Sequence, residues 1–405
     1  MNAEQAYLFR HAILRDAAYQ LQMPADRAAL HGLALEIMER LFEPAIELVS
    51  EELADHARLA QSEQPDAALA RRERDYTRAA AKVAEDRFLI EKSAALWQRA
   101  ATLHDARSEL RVAALSNAGR LWFRCGHPED AARAFDTGLA ESEGASHDAA
   151  LLLVQNRLSM FQTLGRYDEV LAQGPALVER ARAAGNAGVE LRTRYLLVNA
   201  SIINAPDYSP VELYEPIACA AEKAGDMLLA LTIRATHGNS LRNIGRPAEA
   251  EAVLRRCIEA ARAAGHRHIG GIALGYLGHV FNQTDRFDEA LQTYDECLRI
   301  MREVGDLRFI AIFMSSRGTL LRKLKRLDES LTHYDQAQGL LRELGALEDL
   351  ANVLMGRAMV EFARGHERGW RAACAESEAI SNQLNQPQRA EMSRLKLAEL
   401  EAEQR

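Results

Sequence analysis

The sequence predicts an all-α solenoid of antiparallel helix pairs, and three observations carry that reading. Gly185, Gly225, Gly265, Gly305 and Gly345 stand forty residues apart, with Asn385 in the sixth place. Midway between them runs a second series of breaks at Gly165, Gly245, Asp285, Lys325 and Gly365. Small residues at Gly119, Gly238, Gly278, Gly318 and Ala358 recur in phase with large ones at Phe135, Tyr214, Leu254, Tyr294 and Tyr334. Length alone, 405 residues, would suggest two or three compact domains, but a sustained internal period overrides that prior.

Along the chain, residues 1–65 form a helical segment that does not follow the period. Leu8, Ala12, Ala18, Tyr19, Leu30, Leu33, Ala34 and Ile37 share one helical face there. The array runs over 66–386, and an early unit places Trp97 in the position of the large residue. Each unit reads helix, short turn, helix, longer turn. Gly and Asn accept the left-handed conformation just past a helix end, which makes each of the forty-residue series a stop signal. After the midway breaks, acidic residues such as Asp168, Glu249, Asp288 and Asp328 favour the positive end of the next helix. Cys257, Cys297 and Ala337 share a second small position, while Leu158 and Val198 interrupt the first one. Gly174–Pro175 and Pro216 fall inside second helices, where proline removes a donor and clashes with the preceding turn. A kink or break is expected at Pro175 and Pro216, either as a hinge or partner-facing irregularity or as tolerated drift in an outer helix. The last stretch, 387–405, is expected to be a polar capping helix.

Composition narrows the function classes. Charged residues make up 27% and the net charge of −8 is spread along the chain, so no basic stripe points to nucleic acid. No apolar run is long enough to span a membrane. Five widely spaced cysteines do not form a disulfide framework and fit a reducing cytoplasm. No phosphate loop, dinucleotide fingerprint, His-Glu-x-x-His or Cys-x-x-Cys motif occurs. Cys125 and His127 lie in a turn, and His266 and His268 do not share a helix face, so no metal, cofactor or catalytic residue is expected.

The small column, Ala250 and Ala290 near the start of the second helix, and the aromatic column resemble the tetratricopeptide repeat, in a longer unit than usual. The resemblance implies a right-handed superhelix whose first helices line a concave groove. Residues following the small column on that face include Asn199, Asn239, His279, Arg242, Asn282, Arg322, Asn243, Gln283 and Lys323, with Tyr195 one turn earlier. Asn, Gln and His can bond an extended peptide backbone, and the cations attract acidic groups. Asn199 and Asn239 are poor helix formers, which favours a role in binding over one in stability. These ten residues form the candidate site for a protein or peptide partner. The basic residues of the chaperone-tail clamp have no counterparts at the matching positions.

Phe9-Arg10-His11-Ala12, Arg15-Asp16-Ala17-Ala18-Tyr19, Arg27 and Leu30-His31 resemble the junction between the ATPase core and repeat tail of STAND-like bacterial regulators. That resemblance implies a sensor or partner-binding arm working with an ATPase, kinase or cyclase module in the same or a neighbouring chain. Two other readings stay open: a receptor for a small molecule or peptide pheromone, and an oligomerisation scaffold.

Overall fold

A computed structural model describes residues 19–87, 89–142, 147–204, 211–384 and 387–404. Most of the junction-like motif, residues 9–18, and Asn385 lie outside them. Among the described residues the chain is all-α, with nineteen α-helices and two short 3-10 segments, Glu43–Val49 and Val211–Leu213. It divides into two compact units, 1–160 and 161–405, so one division falls inside the stretch expected to be a single array.

The first unit contains α1 (Pro24–Leu41), α2 (Ser50–Ala60), α3 (Ala67–Asp86), α4 (Ile90–Thr102), α5 (Glu109–Arg124) and α6 (Pro128–Glu141); α7 (Asp148–Thr163) carries the boundary. Leu35, Leu53 and Ala57 form a small core joining α1 to α2. Asp66 caps α3 by accepting the N–H groups of Ala68 and Leu69 at 2.8 Å, and Ser108 accepts that of Arg111 in α5. Such caps satisfy donors that have no partner within the helix.

The second unit follows the period closely. It comprises α8 (Tyr167–Ala183), α9 (Ala187–Asn204), α10 (Tyr214–Lys223), α11 (Met227–Asn243), α12 (Pro247–Ala263), α13 (Arg267–Gln283), α14 (Phe287–Val304), α15 (Leu307–Lys323), α16 (Leu327–Glu343), α17 (Leu347–Ala363), α18 (Glu367–Gln383) and α19 (Pro387–Gln404). Every described member of both break series has positive φ, including the non-glycines Asp285 at 57° and Lys325 at 61°. The turn geometry therefore belongs to the position. Its closing bonds, Arg286 N–H to Phe281 O and Arg326 N–H to Leu321 O, both 2.9 Å, satisfy carbonyls at the helix end.

The two packing columns meet side by side. A Cβ on Gly238 would stand 2.4 Å from Leu254, and one on Gly278 2.7 Å from Tyr294. Both partners are fully buried. The missing side chain of the first helix is thus the space that the large residue of the second helix fills.

The prolines depart from expectation. The helix α8 continues through Pro175, whose neighbour Gly174 is buried with room for no Cβ, since Leu197 would lie 2.6 Å away. Pro175 itself is exposed. Pro216 lies in the first turn of its helix, since α10 starts at Tyr214, and there the N–H needs no helical partner. The result is a second helix of 10 residues beside neighbours of 17. Hydrogen exchange is expected to show protected amides on both sides of Pro175; fast exchange across the whole of 168–182 would restore the hinge.

Candidate functional site

The first helices α9, α11, α13 and α15 carry the ten candidate residues, and the structure sorts them into three groups. Arg242, Asn243, His279, Asn282, Gln283 and Lys323 line one cleft of about 450 Å³, together with Tyr294, Ser316 and Thr319. Asn239 and Arg322 flank it. Tyr195 and Asn199 are engaged elsewhere.

Within the cleft, charge is one-sided, because none of its lining residues is acidic. The Arg242 guanidinium bonds only to amides: Nε and Nη2 donate to Asn239 Oδ1 at 3.2 and 3.1 Å, and Nη2 also to Asn243 Oδ1. Burial holds its pKa below the usual arginine value. Lys323 Nζ donates to the Asn282 carbonyl at 3.0 Å and sits 5.6 Å from the centre of the Phe287 ring. Among the described residues neither cation, nor Arg322, has a carboxylate within ion-pair distance. The turn arginines differ sharply: Arg246, Arg286 and Arg326 each pair with the glutamate three residues on, at 2.6 Å. Cations without a carboxylate also occur elsewhere on the surface; what sets this face apart is that two of them line one cleft with no acidic residue.

Three unused hydrogen-bonding atoms lie in or beside the cleft. Asn282 Oδ1, the Tyr294 hydroxyl and Arg322 Nε are buried and make no bond of full geometry, with the Asn282 side chain standing beside the Tyr294 hydroxyl. A buried polar atom left unpaired costs about 1–3 kcal/mol, which a bound ligand could relieve. Ser316 donates its hydroxyl proton to Ile312 O at 3.0 Å, so it accepts from His279 Nε2 at 2.8 Å. His279 is neutral, because burial, assisted by Arg242, pushes its pKa down to about 3. Its Nδ1 is left as an acceptor.

That depression has a testable sign. Between pH 6.5 and about 3 the unfolded chain binds the proton that the folded chain refuses, so stability rises with pH there and is complete above 6.5. The slope approaches about 1.4 kcal/mol per pH unit within this window, or ~2 kcal/mol between pH 6.5 and 5. Urea midpoints at pH 7 and 5 should differ less in His279→Gln than in the native chain. Parallel profiles would exclude His279 as the source.

The structure alters the reading of two residues. Asn199 is only 9% exposed and accepts the Tyr214 hydroxyl through Oδ1. It is a packing partner of the shortened α10, and its carbonyl oxygen is already taken by the Tyr214 hydroxyl. Tyr195 shares a hydrogen bond of 2.8 Å with the Thr236 hydroxyl. Ser316 and Tyr294 were missed as cleft residues. Ser316 lies three positions before the groove column and Tyr294 belongs to the packing column, so periodicity assigns neither a free hydroxyl.

A second hollow of about 500 Å³ adjoins the first, and Thr319 lines both. Arg322, Met355, Met359, Met392 and Leu395 are among its walls.

Residues 227–303, spanning α11 to α14, match the tetratricopeptide repeat family model. No curated protein matches the chain. Among solved structures, a Rap protein complexed with Competence and Sporulation Factor is similar at 10% identity and TM-score 0.61, covering 89% of this chain and 99% of that one. The apo form of RapI is similar at 13% identity and TM-score 0.50, covering 70% and 98%. A STAND protein with a tetratricopeptide repeat sensor from Pyrococcus horikoshii aligns at 12% identity over 97% of this chain and 55% of that one, with a TM-score of 0.37. At these identities the likeness to the Rap structures is one of fold, and the last alignment is too loose to carry an argument.

Proposed function

We propose that this chain, whose helix pairs are tetratricopeptide repeats, is a non-catalytic arm that binds an extended protein or peptide segment across α11, α13 and α15. The observation that carries the reading is the cleft itself: two cations without carboxylates, beside buried polar atoms without partners. An extended peptide supplies what these groups lack. Its N–H groups can donate to Asn282 Oδ1 and Tyr294 Oη, and an acidic side chain can pair with Arg242 and Lys323. In this reading the chain belongs to a cytoplasmic bacterial regulatory protein, and occupancy of the cleft is passed to an ATPase, kinase or cyclase module. The junction-like residues Arg27 and Leu30-His31 favour that context.

A receptor for a small molecule or peptide pheromone is the second reading, favoured by the Rap protein complexed with Competence and Sporulation Factor. Both are tested by panning the full chain with random displayed peptides of about twelve residues, which reach ~40 Å when extended. Enrichment of acidic sequences whose binding falls with salt is expected. Failure to enrich any sequence family would sink the peptide reading.

A further inference from the structure

The hollow beyond Thr319 differs in chemistry from the cleft, and the difference points to what fills it. Its cations are largely spent: Arg389 pairs with Glu348 at 2.7 Å and Lys396 with Glu399 at 2.9 Å. Its serines are also satisfied, since Ser377 donates to the Ala351 carbonyl and Ser381 to that of Ser377. What remains is an apolar wall. Met355 and Met359, one turn apart on α17, face Met392 and Leu395 of α19, so three of the chain's ten methionines converge.

The helix α19 is more than a cap. Ala390 and Leu400 are fully buried, as an end cap requires, yet Met392 is 68% and Leu395 60% exposed. The outer surface of a terminal repeat is ordinarily polar. Methionine is flexible and polarisable, and it adapts to varied apolar partners at binding surfaces. At the mouth, Arg322 contributes a buried, unpartnered Nε, and Thr319 joins this hollow to the carboxylate-free cleft.

We propose that α15, α17 and α19 form an apolar subsite that receives a bulky aliphatic or aromatic side chain of the same peptide whose acidic residue meets Arg242 and Lys323. The proposal rests on the peptide reading above. It commits to a peptide with two anchors of different chemistry, and it makes α19 part of the binding site. Helix axes pack about 10 Å apart, so two helix steps separate the anchors by roughly 20 Å. At ~3.3 Å per extended residue, the apolar anchor lies about six positions from the acidic one.

The test uses the full chain and the random peptide library just described. Enriched sequences should carry an acidic residue and, about six positions away, Leu, Met, Phe or Ile. Met392→Glu and Leu395→Glu alter exposed positions, so helix content should stay native by circular dichroism. Each should weaken a selected peptide about tenfold or more, read by fluorescence anisotropy. The same peptide with its apolar anchor changed to Ser should bind the native chain and Met392→Glu about equally, the signature of a direct pair. Enrichment of acidic sequences with no apolar preference, bound equally by Met392→Glu, would overturn the subsite and leave the cleft reading intact. An empty selection would overturn both.

Discussion

Gly275→Ala is expected to destabilise the second unit by about 1–3 kcal/mol, although it adds only one methyl to a helix. The new Cβ would stand 2.0 Å from Cε1 of Phe313 and 2.2 Å from its Cζ. The ring cannot swing aside. Phe313 is fully buried, and its ring centre lies 5.8 Å from that of Phe309, 6.0 Å from His279 and 6.3 Å from Tyr276. Alanine's better helix propensity, worth about 1 kcal/mol over glycine, offsets only part of the clash. Phe313→Ala should cost more, about 3–5 kcal/mol, by opening a cavity between α13 and α15. The double variant is the sharper test. With the ring gone, the added methyl occupies vacated space, so the combined loss should fall short of the sum by about 1 kcal/mol or more. Because stability in repeat arrays is carried by neighbouring interfaces, the loss should show first as faster amide exchange in α13 and α15. Strict additivity would mean that the two helices do not interlock at this point.

The same interlocking explains what could be read in advance. Turns are dictated locally, by which residues tolerate positive φ, so both break series were legible down to Asp285 and Lys325. The small and large columns were legible because, wherever the column holds Gly, it must meet its large partner, as Gly278 meets Tyr294. The groove was half legible. A column states which face a residue occupies, but not what the next helix does to it. Asn199 and Asn239 hold equivalent positions, yet the first is consumed by Tyr214 while the second steers Arg242. The difference lies in the large column, where Tyr214 carries a hydroxyl and the next unit has Leu254; Thr319 bonds the Tyr334 hydroxyl in the same way. The apolar hollow escaped for another reason. Its walls come from the five helices α15 to α19, and α19, which supplies Met392 and Leu395, lies outside the forty-residue period.

Reversing the charge of Arg242 should have the largest effect on binding. Arg242→Glu is expected to weaken an acidic peptide selected on the native chain by on the order of 100-fold, or about 2.7 kcal/mol. Two effects combine: a charge-assisted hydrogen bond is lost, and a carboxylate now faces a carboxylate in a partly desolvated cleft. Lys323→Glu lies on the exposed rim, so its loss should be smaller, about tenfold, and should shrink as salt is raised. The loss at Arg242 should persist in salt, because burial there excludes much of the screening. Asn239→Ala keeps the charge but frees the guanidinium that Asn239 holds, so a loss of about three- to tenfold is expected through lost positioning. Asn199→Ala should lower stability with little change in affinity, since its amide serves Tyr214. Arg326→Ala supplies the control: this arginine is already paired with Glu329, and its removal should leave binding unchanged. If Arg242→Glu and Arg326→Ala bound the peptide alike, attraction would come from net surface charge, and this face would not be the binding site.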